Sequence, residues 1–201
     1  MALIYIKDVC SGVRLGMWRM DEEPVRLLAA YPHLHTLAMP CRNKGRLQEM
    51  LSVRALLAEM TGDTALEISH EPSGRPVVQG WHVSISHTRG YAVLALSPCR
   101  DVGVDVEYRS GRVVKIAPHF IRPDEQAYTA QQMLVLWCAK ETLYKLHSSD
   151  RLHYFDMRCQ GLPDAGCHDW SGEVALENMK RGAAVQIHVE LTADYCLTWA
   201  V

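Results

Sequence analysis

No C-x-x-C pair occurs in this sequence, although it carries seven cysteines: Cys10, Cys41, Cys99, Cys138, Cys159, Cys167 and Cys196. That absence removes zinc ribbons and thioredoxin-type dithiol sites. An odd number of scattered thiols, mostly with apolar neighbours, fits a reducing compartment, so a cytoplasmic location is expected. Long apolar runs are also missing, and no segment reaches the length needed to cross a bilayer. The opening MALIYIKDVC meets Lys7 and Asp8 too early to be read as a signal peptide. An excess of either charge is lacking: the formal net charge is −2, which argues against a general nucleic-acid coat. Neither a nucleic acid nor a membrane is an expected partner. Internal repeats and low-complexity segments are absent as well.

What is present is an ordinary globular balance. Of 201 residues, 48% are hydrophobic and 22% charged, enough to bury one large core or two smaller ones. Alternating patterns predict strands at ALIYIK and GVRLGMW. DEEPVRLLAA reads as a helix start, with Asp21 as N-cap and Pro24 in the first turn. NKGRLQEMLSVRALLAEMTG predicts a longer helix ended by Gly62. YPHLHTLAMP, with His33 and His35 between Pro32 and Pro40, reads as a loop. HVSISHTRGYAVLALS reads as a hairpin turning at Thr88-Arg89-Gly90. VVKIAPHF is a short helix candidate, and RPDEQAYTA predicts another helix beginning at Pro123. QQMLVLWCAKETLYKLH is the clearest helix, with an apolar stripe of Met133, Leu136, Trp137, Leu143, Tyr144 and Leu146. GEVALE, AAVQIHVE and YCLTWAV read as strands. The mixed order predicts an α+β fold.

In GVDVEYRS, Asp105 and Glu107 lie two residues apart among Val102, Val104 and Val106. On a strand, the two acids share one face and the valines take the other. Like charges at that spacing either face solvent or hold a cation. WCAKETLYKL then supplies Glu141 and Lys145, which point the same way on a helix. A surface ion pair between them would contribute only about 0.3–0.5 kcal/mol. Trp137, one turn earlier, implies instead that this face is packed. Asp105, Glu107 and Glu141 together offer three oxygen ligands to Mg2+, and Lys145 could neutralise a phosphate on the same ion. Upstream, Ser86 and His87 end a strand and could hold a phosphate. Arg75, in the turn SGRP, could grip an anion. Arg42, Lys44, Arg46, Glu49 and Arg54 make the most basic stretch, suited to a polyphosphate or an acidic partner.

Taken jointly, R-x-x-E-x-x-x-x-R, G-R-P, S-I-S-H, G-V-D-V-E and W-C-A-K-E-T-L-Y-K resemble the 4′-phosphopantetheinyl transferase superfamily. The resemblance runs over roughly residues 42 to 147, and it is to the single-chain, surfactin-synthetase-activating branch. It implies an α+β fold of two similar halves with pseudo-twofold symmetry, residues 1–100 and 101–201, with coenzyme A in a cleft between them. Asp105, Glu107 and Glu141 are implied as Mg2+ ligands. Arg54, Arg75, Ser86, His87 and Lys145 are implied as coenzyme A contacts, with arginine standing where the family has the lysine of G-K-P. Glu141 and Lys145 are implied as catalytic, the base being Glu141 or a metal-bound water. Glu125 falls where the family carries a further acid, and could be a water-mediated metal partner or part of a helix start. Lys140 has no assigned role.

The implied reaction moves 4′-phosphopantetheine from coenzyme A to a serine of an apo acyl or peptidyl carrier protein and releases 3′,5′-ADP. The double-length chain suggests a monomer. Two other readings compete. A Mg2+-dependent phosphodiesterase or nuclease would carry an E-x-K, but Glu107 is followed by Tyr108 and Arg109. A non-catalytic module that binds carrier proteins would have lost one of the three acids, and all three are present.

Overall fold

The computed structural model describes residues 2–38 and 43–201. Pro40, Cys41 and Arg42 lie outside the described residues. Two compact units divide the chain, Met1–Arg100 and Asp101–Val201.

The first unit is a four-stranded antiparallel sheet with one long helix. Its strands are β1 (Leu3–Cys10), β2 (Val13–Arg19), β5 (His82–Thr88) and β6 (Tyr91–Ser97), in the order β1-β2-β6-β5. Two short helices, α1 (Pro24–Ala30) and α2 (His35–Ala38), precede α3 (Lys44–Thr61). A small hairpin, β3 (Ser69–His70) with β4 (Pro76–Val77), lies before β5. Asn43 caps α3 by accepting the Arg46 N–H at 3.0 Å, and Gly62 ends it at φ 72°. Gly16 on β2 leaves room for α3, since a Cβ there would stand 2.5 Å from Met60 Sδ and 2.8 Å from Leu56 Cδ1. Leu51, Leu56, Leu57, Met60, Trp18 and Leu94 are among the residues of this core.

Two expectations fail in this unit. Asp21 is not the cap of α1. Glu23 holds the N-cap position in an extended conformation without a side-chain cap bond, because Pro24 at N1 bars its predecessor from helical angles. Asp21 instead pairs with Arg19 at 3.0 Å. The His33–His35 segment is not a loop either: a 3-10 turn, Pro32–Leu34, runs into α2.

The second unit carries the opening motif. Its sheet has five antiparallel strands in the order β7-β11-β10-β9-β8. These are β7 (Gly103–Tyr108), β8 (Met157–Gln160), β9 (Trp170–Asn178), β10 (Ala183–Leu191) and β11 (Tyr195–Ala200). Between β7 and β8 lie α4 (Arg112–Ile116) and α5 (Ala130–Leu146). The core beneath α5 includes Phe120, Leu136, Ala139, Leu143, Leu176 and Val189. Gly103, the first residue of G-V-D-V-E, is required by this packing. A Cβ there would run into the Thr142 carbonyl oxygen and stand 3.0 Å from Leu146 Cβ.

The helix expected from Pro123 does not form, and α5 begins only at Ala130. Thr129 and Gln132 make a capping box at its start, the S/T-x-x-E/Q device that satisfies two orphan N–H groups. Before it, side chains bind the local backbone and each other instead of permitting a helix. Arg122 Nε donates to Asp124 at 2.8 Å, and the Arg122 N–H donates to Glu125 Oε2 at 2.9 Å. Tyr144, expected in the apolar stripe, is 44% exposed. Strand β8, MRCQ, has no clean alternation and was not expected.

Candidate active site

Strand β7 sets the first two acids. Its register with β11 places Asp105 opposite Thr198 and Glu107 opposite Cys196. Thr198 Oγ1 lies 2.6 Å from Thr142 Oγ1 on α5, which identifies the α5 side as the face shared by both acids. Val104 and Val106 alternate to the other face and are buried. A solvated acidic face is excluded for Asp105, which is only 5% exposed. Glu107 is half-buried and borders a small pocket of about 40 Å³ floored by Val113, Ile116, Leu134 and Trp137.

Helix α5 brings Glu141 and Lys145 to the same place. Lys145 Nζ donates to Asp105 Oδ1 at 2.7 Å and to the Val104 carbonyl at 3.0 Å. A surface pair between Glu141 and Lys145 is therefore not what holds the lysine. Glu141 Oε1 accepts a hydrogen bond from the Tyr154 hydroxyl at 2.6 Å. Burial raises the Glu141 carboxyl above its ordinary range, and the charges of Asp105 and Glu107 add to that, against the Tyr154 bond and Lys145. Asp105, Glu107 and Lys145 thus lie close enough to Glu141 to act on it electrostatically.

Three carboxylates in mutual repulsion are a donor set suited to a hard divalent ion. The ammonium already seated on Asp105 shows that this spot favours positive charge. Among the described residues, no three His, Cys, Asp or Glu side chains are arranged as a group that could hold a metal ion. The chemistry of the set fits Mg2+, and Asp105, Glu107 and Glu141 would be the groups to hold it.

Glu125 and Lys140 have a different task. Their side chains are 1% and 0% exposed, and Lys140 Nζ lies 2.7 Å from Glu125 Oε2. The ammonium also donates to the carbonyls of Phe120 at 2.8 Å and Tyr154 at 3.2 Å. Glu125 Oε1 accepts the Cys159 N–H at 2.8 Å. Both oxygens of Glu125 are thereby engaged inside the protein, so it is not placed as a water-mediated metal partner. Burial lowers the Lys140 pKa and Glu125 counters it.

In the first unit, Ser86 and His87 occupy adjacent positions on β5 and so face opposite ways. Ser86 is buried. His87 Nε2 lies 3.3 Å from Arg46 Nη1, and His87 Nδ1 lies 3.6 Å from Glu49 Oε1. Arg46 and Glu49 pair at 3.0 Å. The start of α3 and the end of β5, far apart in sequence, are thus neighbours. Arg54 is part-buried, and its Nη1 and Nη2 donate to the carbonyls of Met50 (3.2 Å) and Ile68 (3.1 Å). Burial lowers its pKa, as does the charge of Arg46, and Glu67 opposes them. Arg75 follows Gly74 at φ 88° and lines an open pocket of about 400 Å³ with Trp81, His82, Val83 and Pro98.

Sequence reasoning missed Tyr154. It lies 13 residues after Glu141 in a short 3-10 turn, Tyr154–Asp156, where no periodicity points at a partner. It also missed the burial of Lys140, which reads from the chain as one more charge beside Glu141.

The decisive stretch is the second unit. Residues 101–200 match the 4′-phosphopantetheinyl transferase superfamily. The matched stretch contains Asp105, Glu107, Glu141 and Lys145 together. No curated protein matches the chain. The six described cysteines are free thiols, and no described helix is long and apolar enough to cross a membrane.

Proposed function

We propose that this chain transfers 4′-phosphopantetheine from coenzyme A to a serine of an apo acyl or peptidyl carrier protein, as a single-chain enzyme of the surfactin-synthetase-activating type. The observation that carries the reading is the meeting of Asp105, Glu107, Glu141 and Lys145 within the stretch that matches the superfamily. Each unit lays one long helix on an antiparallel sheet, which supports a repeated plan for the two halves.

Mg2+ bound by the three acids would neutralise the coenzyme A diphosphate. The remaining work falls to side chains. Lys145, held by Asp105 and the Val104 carbonyl, offers its remaining ammonium N–H to a diphosphate oxygen as charge develops there. Glu141, whose carboxyl burial raises above its ordinary value, is proposed as the base that takes the proton of the attacking serine. The serine oxygen bonds to the β-phosphorus, and the bond from that phosphorus to the oxygen of 3′,5′-ADP breaks. Arg54, Arg75, Ser86 and His87 are proposed to bind the nucleotide and phosphate end of coenzyme A.

The nuclease alternative finds no support at Arg109, two residues after Glu107. Its Nη1 donates to the carbonyls of His168 and Thr192, each at 2.8 Å, so it braces the loops of the sheet. The test is chromatography of the small-molecule products formed with coenzyme A, Mg2+ and apo carrier proteins. Release of 3′,5′-ADP is expected. Cleavage of DNA under Mg2+ with no 3′,5′-ADP would replace this reading with the alternative.

A further inference from the structure

The carboxylate on which the proposed chemistry turns is held by a group outside every motif. Tyr154 donates its hydroxyl to Glu141 Oε1 at 2.6 Å. Tyr154 is itself fixed from two sides. Its ring packs against Trp137 with centroids 5.2 Å apart, and Trp137 meets Phe120 edge-on at 5.1 Å. Its carbonyl accepts from Lys140 at 3.2 Å, and the same ammonium binds the Phe120 carbonyl and Glu125. The buried ion pair therefore ties the Phe120 and Tyr154 segments to α5.

We propose that Tyr154 is a positioning residue for Glu141, held in register by the buried Lys140–Glu125 pair. This rests on the reading of Glu141 as a metal ligand. A glutamate on a helix has three rotatable bonds, and burial among like charges pushes this one away from Asp105 and Glu107. A short hydrogen bond to one oxygen removes that freedom and leaves Oε2 for the site. Outer hydrogen bonds of this kind govern ligand orientation, and losing one typically weakens metal binding about 10–100-fold. The placement of Lys140 follows from the same logic. A buried ammonium costs desolvation, and here its return is the fixed position of Tyr154, one hydrogen bond from the site.

Tyr154→Phe tests this, because it keeps the ring in its stack and deletes only the hydroxyl. The probe is Mn2+, titrated into protein saturated with coenzyme A but given no carrier protein, with free Mn2+ read by its paramagnetic resonance signal. Tyr154→Phe should weaken Mn2+ binding about tenfold, while the metal-free protein still unfolds in a single cooperative transition. In a Glu141→Gln background the same change should have no further effect. If Tyr154→Phe binds Mn2+ within twofold of wild type, Tyr154 does not position Glu141. The same conclusion follows if it weakens binding equally in the Glu141→Gln background. In both cases the transferase reading stands. Failure of the wild type itself to bind Mn2+ overturns the metal reading of the three acids, and this inference with it.

Discussion

At Glu141 the proposed function and stability oppose each other in a single residue. Its carboxyl sits buried beside two other acids, and its pKa is raised for that reason. An acid with a raised folded pKa is favourable only when protonated, so its charge weakens the fold once pH exceeds the ordinary carboxylate range. Glu141→Gln should therefore abolish transfer while leaving the metal-free protein at pH 7 as stable as wild type, or more so. The amide can still accept from Tyr154 through its carbonyl. Thermal unfolding of the two proteins without added metal gives the comparison. A clear loss of stability in Glu141→Gln would mean that the carboxylate is a structural partner rather than a strained functional one. Legibility at this scale was uneven. The D-x-E and K-E-x-x-x-K spacings point to the acids and to Lys145, because local period alone sets which face each occupies. Tyr154 and the Lys140–Glu125 contact depend on where a distant loop folds back, and nothing local encodes that.

At the scale of elements, buried charge links α5 to the segments before and after it. Removing one partner of a buried pair leaves the other uncompensated, which costs about 3–5 kcal/mol. Lys140→Met should show a loss of that order in urea unfolding. Adding Glu125→Gln in the same chain should recover part of it, since the stranded charge is gone and the Cys159 N–H keeps an acceptor. Equal stability of Lys140→Met and wild type would remove the pair from the list of structural ties. A second tie lies past the end of α5. Asp150 receives Arg181 through Nη2 at 2.8 Å, and Asn178 at 2.7 Å, from the turn joining β9 to β10. Arg181 holds the Asp150 carboxyl down to about 2, below the unfolded value of about 3.9. A depressed acid stabilises the fold above its unfolded pKa and loses that contribution as pH falls toward the folded one. The gap in melting temperature between wild type and Asp150→Asn should be constant above about pH 5 and close between about pH 4 and pH 2. A gap that stays the same down to pH 2 would show that the carboxylate charge is not what matters there.

The same elements mark how far pattern carries. α3 was legible because Gly62 and the apolar period agree, and α5 because its apolar stripe persists over many turns. The segment from Pro123 to Thr129 has good first-turn residues yet stays non-helical. Glu125 turns inward to Lys140, and that long-range demand overrides local propensity. Gly103 reads from sequence only as a strand residue, and its reason is the passage of α5 above it.

For the whole molecule, the proposed group transfer needs the acids of the second unit. The match over residues 101–200 bears on that unit, while the roles of Arg54, Arg75, Ser86 and His87 rest on the motifs of the first. Ligand that binds only the folded chain must raise its melting temperature, so coenzyme A with Mg2+ should stabilise the protein more than coenzyme A alone. The most direct measurement is the intact mass of an apo carrier protein incubated with this chain, coenzyme A and Mg2+. Wild type should add one phosphopantetheine to the carrier, and Asp105→Ala, folded and at equal concentration, should add almost none in the same time. A carrier mass unchanged by the wild type across fatty-acid, polyketide and nonribosomal-peptide carriers would contradict the account.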